Sequence, residues 1–218
     1  MDVKVGKSTR QLPGAGWAAG RTEQRLGRVE QLVLRGDGLT TTSIEILTGR
    51  DIIVRVRRHW RLALPSEAEG VSDLLDTYTG TGLDPHAAYT TVGYQDLGGV
   101  PGDDVLVREV LLCDHDGVIY ATARLFAALD RLPPVVAHQL ATTDAPIGKL
   151  LVRAGIQAGR EIRHWGYCPA GDFAAHLGPT IRSESRVPAR TYLMRDTATG
   201  KPLTLITEWF APRLFQFD

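Results

Sequence analysis

Two charged residues stand where strand patterns call for apolar ones. In VLVREVLLC the alternation of side chains puts Arg108 on one face with Leu106, Val110 and Leu112. In PLTLITEWF the same alternation sets Glu208 between Ile206 and Phe210. A carboxylate on an apolar face must be paired, protonated or in use. Arginine stays charged when buried, and its planar fork matches a carboxylate. Two readings follow from the pattern: Arg108 and Glu208 form a buried structural ion pair, or they line a polar site for a small charged ligand. On the next strand Arg124 shares a face with Thr122 and Phe126. A second arginine near the same cavity would suit a dianion, with Glu208 as hydrogen-bond acceptor or proton carrier.

Other chemistries lack their residues. The sequence contains no GxSxG, no HExxH and no Walker loop. Its 6 histidines are scattered and form no ligand set. Asp114-His115-Asp116-Gly117 reads as a hairpin turn rather than a metal cluster. Gly14, Gly16 and Gly20 follow no strand, so they do not make a phosphate loop. Neither a metal nor an organic cofactor is expected.

The elements that must carry Arg108 and Glu208 follow from periodicity. Leu26, Val29, Leu32 and Val33 recur at helical spacing from Glu23 to Arg35, and Gly36 and Gly38 can close that helix. Asp37 and Thr40 to Thr42 can cap a second helix running to Leu47, stopped by Gly49. Strands are expected at Asp51–Leu64, His86–Asp96, Val105–Asp114, Val118–Leu129, Glu161–Tyr167, Arg190–Arg195 and Pro202–Phe210. Ser72–Tyr78 reads as a short helix, Pro133 and Pro134 start another, and Asp144 with Pro146 opens one reaching Ala158. Arg55, Arg57, Arg58 and Arg61 read as a solvated strand face. Short turns between consecutive strands make the sheet antiparallel, and grouped helices make the fold α+β. Residues 1–21 are expected to be a flexible segment, and residues 22–218 a single domain.

Composition narrows the classes. The 218 residues suffice for one good core. Lys plus Arg and Asp plus Glu both number 25, so no basic bias points to nucleic acid. Cys113 and Cys168 fit no metal or redox spacing and read as reduced thiols. No window approaches the ~20 apolar residues of a membrane span, and the N-terminus has no signal-peptide core. The expectation is a cytoplasmic monomer that binds a small molecule and neither nucleic acid nor membrane.

Six motifs in order, REVLLCDHDG, LDRLPP, TDAPIGKLL, REIRHWG, RTYLM and PLTLITEWF, resemble the chorismate pyruvate-lyase family, in its actinobacterial and algal branch. The resemblance is good from Val105 to Phe215 and thinner from Leu32 to Asp96. It implies an antiparallel sheet carrying helices, with two helical flaps over an enclosed site. It implies cofactor-free conversion of chorismate to 4-hydroxybenzoate and pyruvate, for a biosynthetic pathway. By position, Arg108 would grip the ring carboxylate and Glu208 would sit near the para hydroxyl. Ile147 would be the apolar residue of one flap, and Leu39 and Thr40 the pair before the other flap's helix. Arg124 falls where bacterial lyases also have an arginine. Two alternatives stay open: a relative acting on another chorismate-like substrate, and a non-catalytic sensor, since the lyase fold resembles effector domains of some transcription regulators.

Overall fold

The computed structural model describes residues 26–36, 38–63, 97–98 and 104–216. Six strands form one antiparallel sheet: β1 Ile53–Ala63, β2 Asp104–Cys113, β3 Ile119–Ala128, β4 Ala158–Pro169, β5 Arg186–Asp196 and β6 Pro202–Phe210. Their order is β1-β2-β3-β6-β5-β4. Among the described residues five α-helices accompany them: α1 Arg28–Arg35, α2 Thr40–Thr48, α3 Pro134–Thr142, α4 Ile147–Arg153 and α5 Ala174–Leu177. The fold is α+β, as the grouping of strand and helix patterns predicts. The expected helix at Ser72–Tyr78, the strand at His86–Asp96, the cap at Asp37 and the segment 1–21 lie outside the described residues.

The β2–β3 hairpin turns at the Asp-His-Asp-Gly sequence. Asp114 accepts the Val118 N–H at 2.9 Å and the Tyr120 hydroxyl at 3.1 Å, and Gly117 takes φ +85°. Turn chemistry thus uses the aspartate that a metal-site reading would claim. Helix α2 ends at Gly49, whose φ of +63° closes it in the left-handed region. The expected helix from Pro146 to Ala158 is shorter than its pattern. It stops at Arg153, because Gly155 at φ +72° turns the chain back and Ala158 already belongs to β4.

Both faces of the sheet are covered. On one, Val33, Leu34 and Ile44 of the first two helices and Leu140, Leu150 and Leu151 of α3 and α4 pack on Leu106, Leu125 and Phe210. On the other, Phe173 and Leu177 pack on Cys168, Val187 and Trp209. A face that is buried either way shows little apolar–polar alternation, which is why strand patterns alone do not say which side holds the cavity.

The arginines of β1 do more than meet solvent. A register shift between Val56 and Arg58 brings neighbouring side chains to one side, where both reach Glu109 of β2. Arg57 donates to Glu109 at 2.7 Å, Arg58 at 2.7 and 3.1 Å, and Arg124 at 3.0 and 2.8 Å. The Glu109 side chain is 0% exposed. Burial alone would raise its pKa, but Arg58 and Arg124 overrule that and hold it below the usual carboxylate range. The depressed folded pKa sets the sign of the pH effect. The stabilisation is complete above the unfolded glutamate pKa of about 4.3 and disappears as pH falls through the lower folded value. Glu109→Gln is expected to cost about 3 kcal/mol at pH 7, the low end for breaking a buried charge pair, because two of its arginines are partly solvated. Urea unfolding at pH 7 and pH 4 checks this: the gap between wild type and variant narrows at the lower pH.

Candidate functional site

The register of the sheet lays out the site as two rows on the face beneath α1–α4. One row runs Arg108, Leu125, Ile206, Tyr192 across β2, β3, β6 and β5. The next runs Val110, Ala123, Glu208, Arg190. Arg108 and Glu208 therefore face the same way, two strands and two residues apart, roughly 12 Å between α-carbons. Their side chains line one pocket of about 90 Å³. That is several times the roughly 10–15 Å³ that a single water needs. The surface between them is apolar, with Val110, Ala123, Leu125 and Ile206 as floor and Leu140 and Ile147 as roof.

Arg108 and Glu208 are not each other's partner, which corrects the ion-pair reading. Glu208 pairs instead with Arg190, its neighbour in the β5–β6 ladder, at 2.7 Å. Its Oε1 accepts the Thr40 hydroxyl at 2.6 Å and the Tyr192 hydroxyl at 3.0 Å. All three neighbours donate, so the carboxylate works as an acceptor, and Oε2 keeps a lone pair beyond the one that Arg190 uses. Burial alone would lower the pKa of Arg190; Glu208, joined by Tyr192, overrides this and raises it. Burial pushes the Tyr192 phenol up, and Glu208 adds to the rise. Tyr192 is thus a neutral donor.

Arg190 also fixes the first flap. Its Nη1 donates at 2.7 Å to the carbonyls of Val33 and Gly36, at the end of α1, and its Nη2 donates at 2.9 Å to Thr40. The turn into α2 is thereby held over the pocket, with Leu39 and Thr40 in the lining. The second flap is the start of α4, where Ile147 and Gly148 enter the lining. The two meet closely: a β-carbon at Gly148 would lie 3.1 Å from Leu39 Cδ2.

Arg108 is 2% exposed. It donates to three main-chain oxygens, Leu140 in the last turn of α3 at 3.3 Å, and Ala145 at 3.1 Å and Thr143 at 2.8 Å in the α3–α4 connection. Its buried Nε has no hydrogen-bond partner among the described residues, and no carboxylate there forms an ion pair with it. Burial draws its pKa below the usual arginine value, and the more distant Asp144 opposes this. A guanidinium at such a position is a cation lacking its anion.

Arg124 is turned away from this pocket, contrary to its expected role. Ala123 and Leu125 face the cavity, so Arg124 between them projects from the opposite side of the sheet. There it belongs to the Glu109 cluster, with Asp172 3.6 Å away. Leu39, Thr40, Ile147, Arg108 and Glu208 all line the cavity.

Residues 84–218 match the family described as chorismate pyruvate-lyase, Rv2949c-like. The chain belongs to this family. The similarity to curated members is distant: chorismate pyruvate-lyases of Mycobacterium tuberculosis and Mycobacterium bovis are 23% identical over 195 residues, covering 88% of this chain and 84% of theirs. Among solved structures, PhnF from Mycobacterium smegmatis superposes with a TM-score of 0.53 at 16% identity, over 84% of this chain and 68% of that one. The PhnF effector domain alone gives 0.52 at 17% identity, over 82% and 91%. At that identity the likeness shows the fold alone.

Within this lyase-family chain, pattern reading passes over two pocket-side arginines. Arg190 stands first in the RTYLM motif, two residues before Tyr192 and on the same face, and only the β5–β6 register sets it beside Glu208. Arg160 lies where the expected helix was to have ended and the expected strand had not begun, yet it sits within β4 and lines the cavity. Among the described residues no cluster of three or more His, Cys, Asp or Glu is arranged to hold a metal. Nor is any described helix long and apolar enough to cross a membrane.

Proposed function

We propose that the chain is a chorismate pyruvate-lyase that releases 4-hydroxybenzoate and pyruvate. The observation that carries this reading is Arg108, a buried cation with no carboxylate partner among the described residues, at one end of an apolar slot whose other end is Glu208 with an acceptor site to spare. A flat ring with a carboxylate at one pole and a hydroxyl at the other complements that spacing. Arg108 receives the ring carboxylate through its open Nε edge, and Glu208 accepts the C4 hydroxyl. The hydrophobic walls exclude water and hold one conformer of the substrate.

The reaction balances without another reactant. The ether bond between ring C3 and the enolpyruvyl oxygen breaks, the ring loses its C4 hydrogen and becomes aromatic, and the enolpyruvyl methylene gains a hydrogen to give pyruvate. No electron acceptor is consumed, so this chemistry calls for no cofactor. The protein's part is to orient the ring and to stabilise charge as the ether cleaves. Flaps that meet over the slot make product departure a step able to limit turnover.

Incubation of purified protein with chorismate tests the reading: 4-hydroxybenzoate by absorbance and pyruvate by a coupled dehydrogenase appear in equal amounts. Absence of both products ends it. Binding of 4-hydroxybenzoate without turnover of chorismate would instead support a non-catalytic sensor.

A further inference from the structure

We propose that Thr40 is the latch of the first flap, a positioning residue that sets how fast ligand enters and leaves by tying that flap to Glu208. This rests on the lyase reading for the identity of the ligand and adds to it the control of access. Thr40 is the first residue of α2 and is 6% exposed. Its hydroxyl donates to Glu208 Oε1 at 2.6 Å and accepts from Arg190 Nη2 at 2.9 Å. Leu39, the residue before it, gives α2 no side-chain cap. The polar group at the start of this helix is thus committed to the sheet below, and one hydroxyl joins the flap to both members of the buried ion pair.

Lifting the start of α2 from the sheet breaks both bonds at once. Glu208 Oε1 would keep only the Tyr192 hydroxyl, and Arg190 Nη2 would lose the acceptor it has here. Glu208 is 3% exposed and Arg190 1%. Unmet hydrogen bonds of buried charged groups cost more than those of neutral ones. The same turn carries Leu39, which meets the second flap at Gly148, so releasing Thr40 also parts the two flaps.

The ligand does not compete with the latch. Thr40 and Tyr192 occupy both lone pairs of Oε1, and the ligand hydroxyl takes the one that Arg190 leaves on Oε2. The Thr40 bonds are therefore made over an empty slot and over a filled one. A contact present in both states slows entry and departure by the same factor and leaves affinity alone.

Stopped-flow mixing and calorimetry with 4-hydroxybenzoate, on wild type, Thr40→Val and Thr40→Ser, test this. Valine keeps the branched shape and removes the hydroxyl. Thr40→Val is expected to raise the association and dissociation rates alike by about tenfold, the effect of one hydrogen bond to a charged group, and to shift Kd by no more than about threefold. Thr40→Ser, which restores the hydroxyl, should return both rates toward wild type. Faster dissociation alone, with affinity lost in proportion, would make Thr40 an ordinary ligand contact, and unchanged rates would leave it a mere lining residue; either overturns the proposal. A wild-type measurement stands apart from how well the variants fold. The observed binding rate should level off as 4-hydroxybenzoate is raised, because opening precedes entry, and a linear rise would remove the latch. Gated binding without cleavage of chorismate would end the lyase reading and keep the latch; no binding of 4-hydroxybenzoate would end both.

Discussion

Arg108→Ala is expected to lower kcat/KM for chorismate by about a thousandfold or more. Truncating one partner of a buried, hydrogen-bonded charge pair costs about 2–5 kcal/mol or more, and each 1.4 kcal/mol is tenfold. The upper part of that range applies because Arg108 is 2% exposed and forms no ion pair with a carboxylate among the described residues. The side chain also ties the α3–α4 connection through Leu140, Thr143 and Ala145, so a loss of activity has to be separated from a loss of order. Arg108→Lys makes that separation. It keeps the charge but cannot present a fork to a carboxylate while donating to three carbonyls. About a hundredfold loss is expected, with a melting temperature closer to wild type than that of the alanine variant. Steady-state kinetics with the two melting curves decide it. Near-normal kcat/KM in Arg108→Ala would take this residue out of the site.

The second large effect is on stability. Arg190→Leu should lower the unfolding free energy by about 3–5 kcal/mol, as expected when one half of a buried ion pair is removed. For a domain of this size that corresponds to a fall in Tm of roughly 10–15 °C. Arg190 is 1% exposed, and its three nitrogens serve Glu208, Thr40 and the carbonyls that end α1. The variant strands the Glu208 carboxylate and frees the first flap together. A double variant, Arg190→Leu with Glu208→Leu, removes both charges and should regain much of the stability while remaining inactive, since apolar replacement of a whole buried pair is often neutral. Additive losses in the double variant would show that the two residues act independently.

How far the site is legible in the sequence depends on the residue. Arg108 and Glu208 announce themselves because a charge interrupts a strand's apolar face. The hairpins announce themselves through Asp-His-Asp-Gly and through the Thr197–Gly200 turn. Arg124 misleads for a physical reason: Thr122, on its own face, and Ala123, on the opposite face, are both buried, so burial does not distinguish its face. Only the pairing of Arg124 with Glu109 across β2 and β3 does, and that is a property of register. The pairing of Glu208 with Arg190 is similarly invisible until β5 lies beside β6. Arg160 is obscured because Gly155 ends α4 earlier than its apolar spacing implies.

The strand order has a consequence for synthesis. β6, the last of the six strands to leave the ribosome, ends up between β3 and β5. Until it emerges, the β1–β2–β3 meander and the β4–β5 hairpin each expose an open inner edge, and Arg190 has no carboxylate to meet. A nascent chain halted before Pro202 would therefore be two unjoined half-sheets, adhesive toward other chains and lacking half of its ligand cradle.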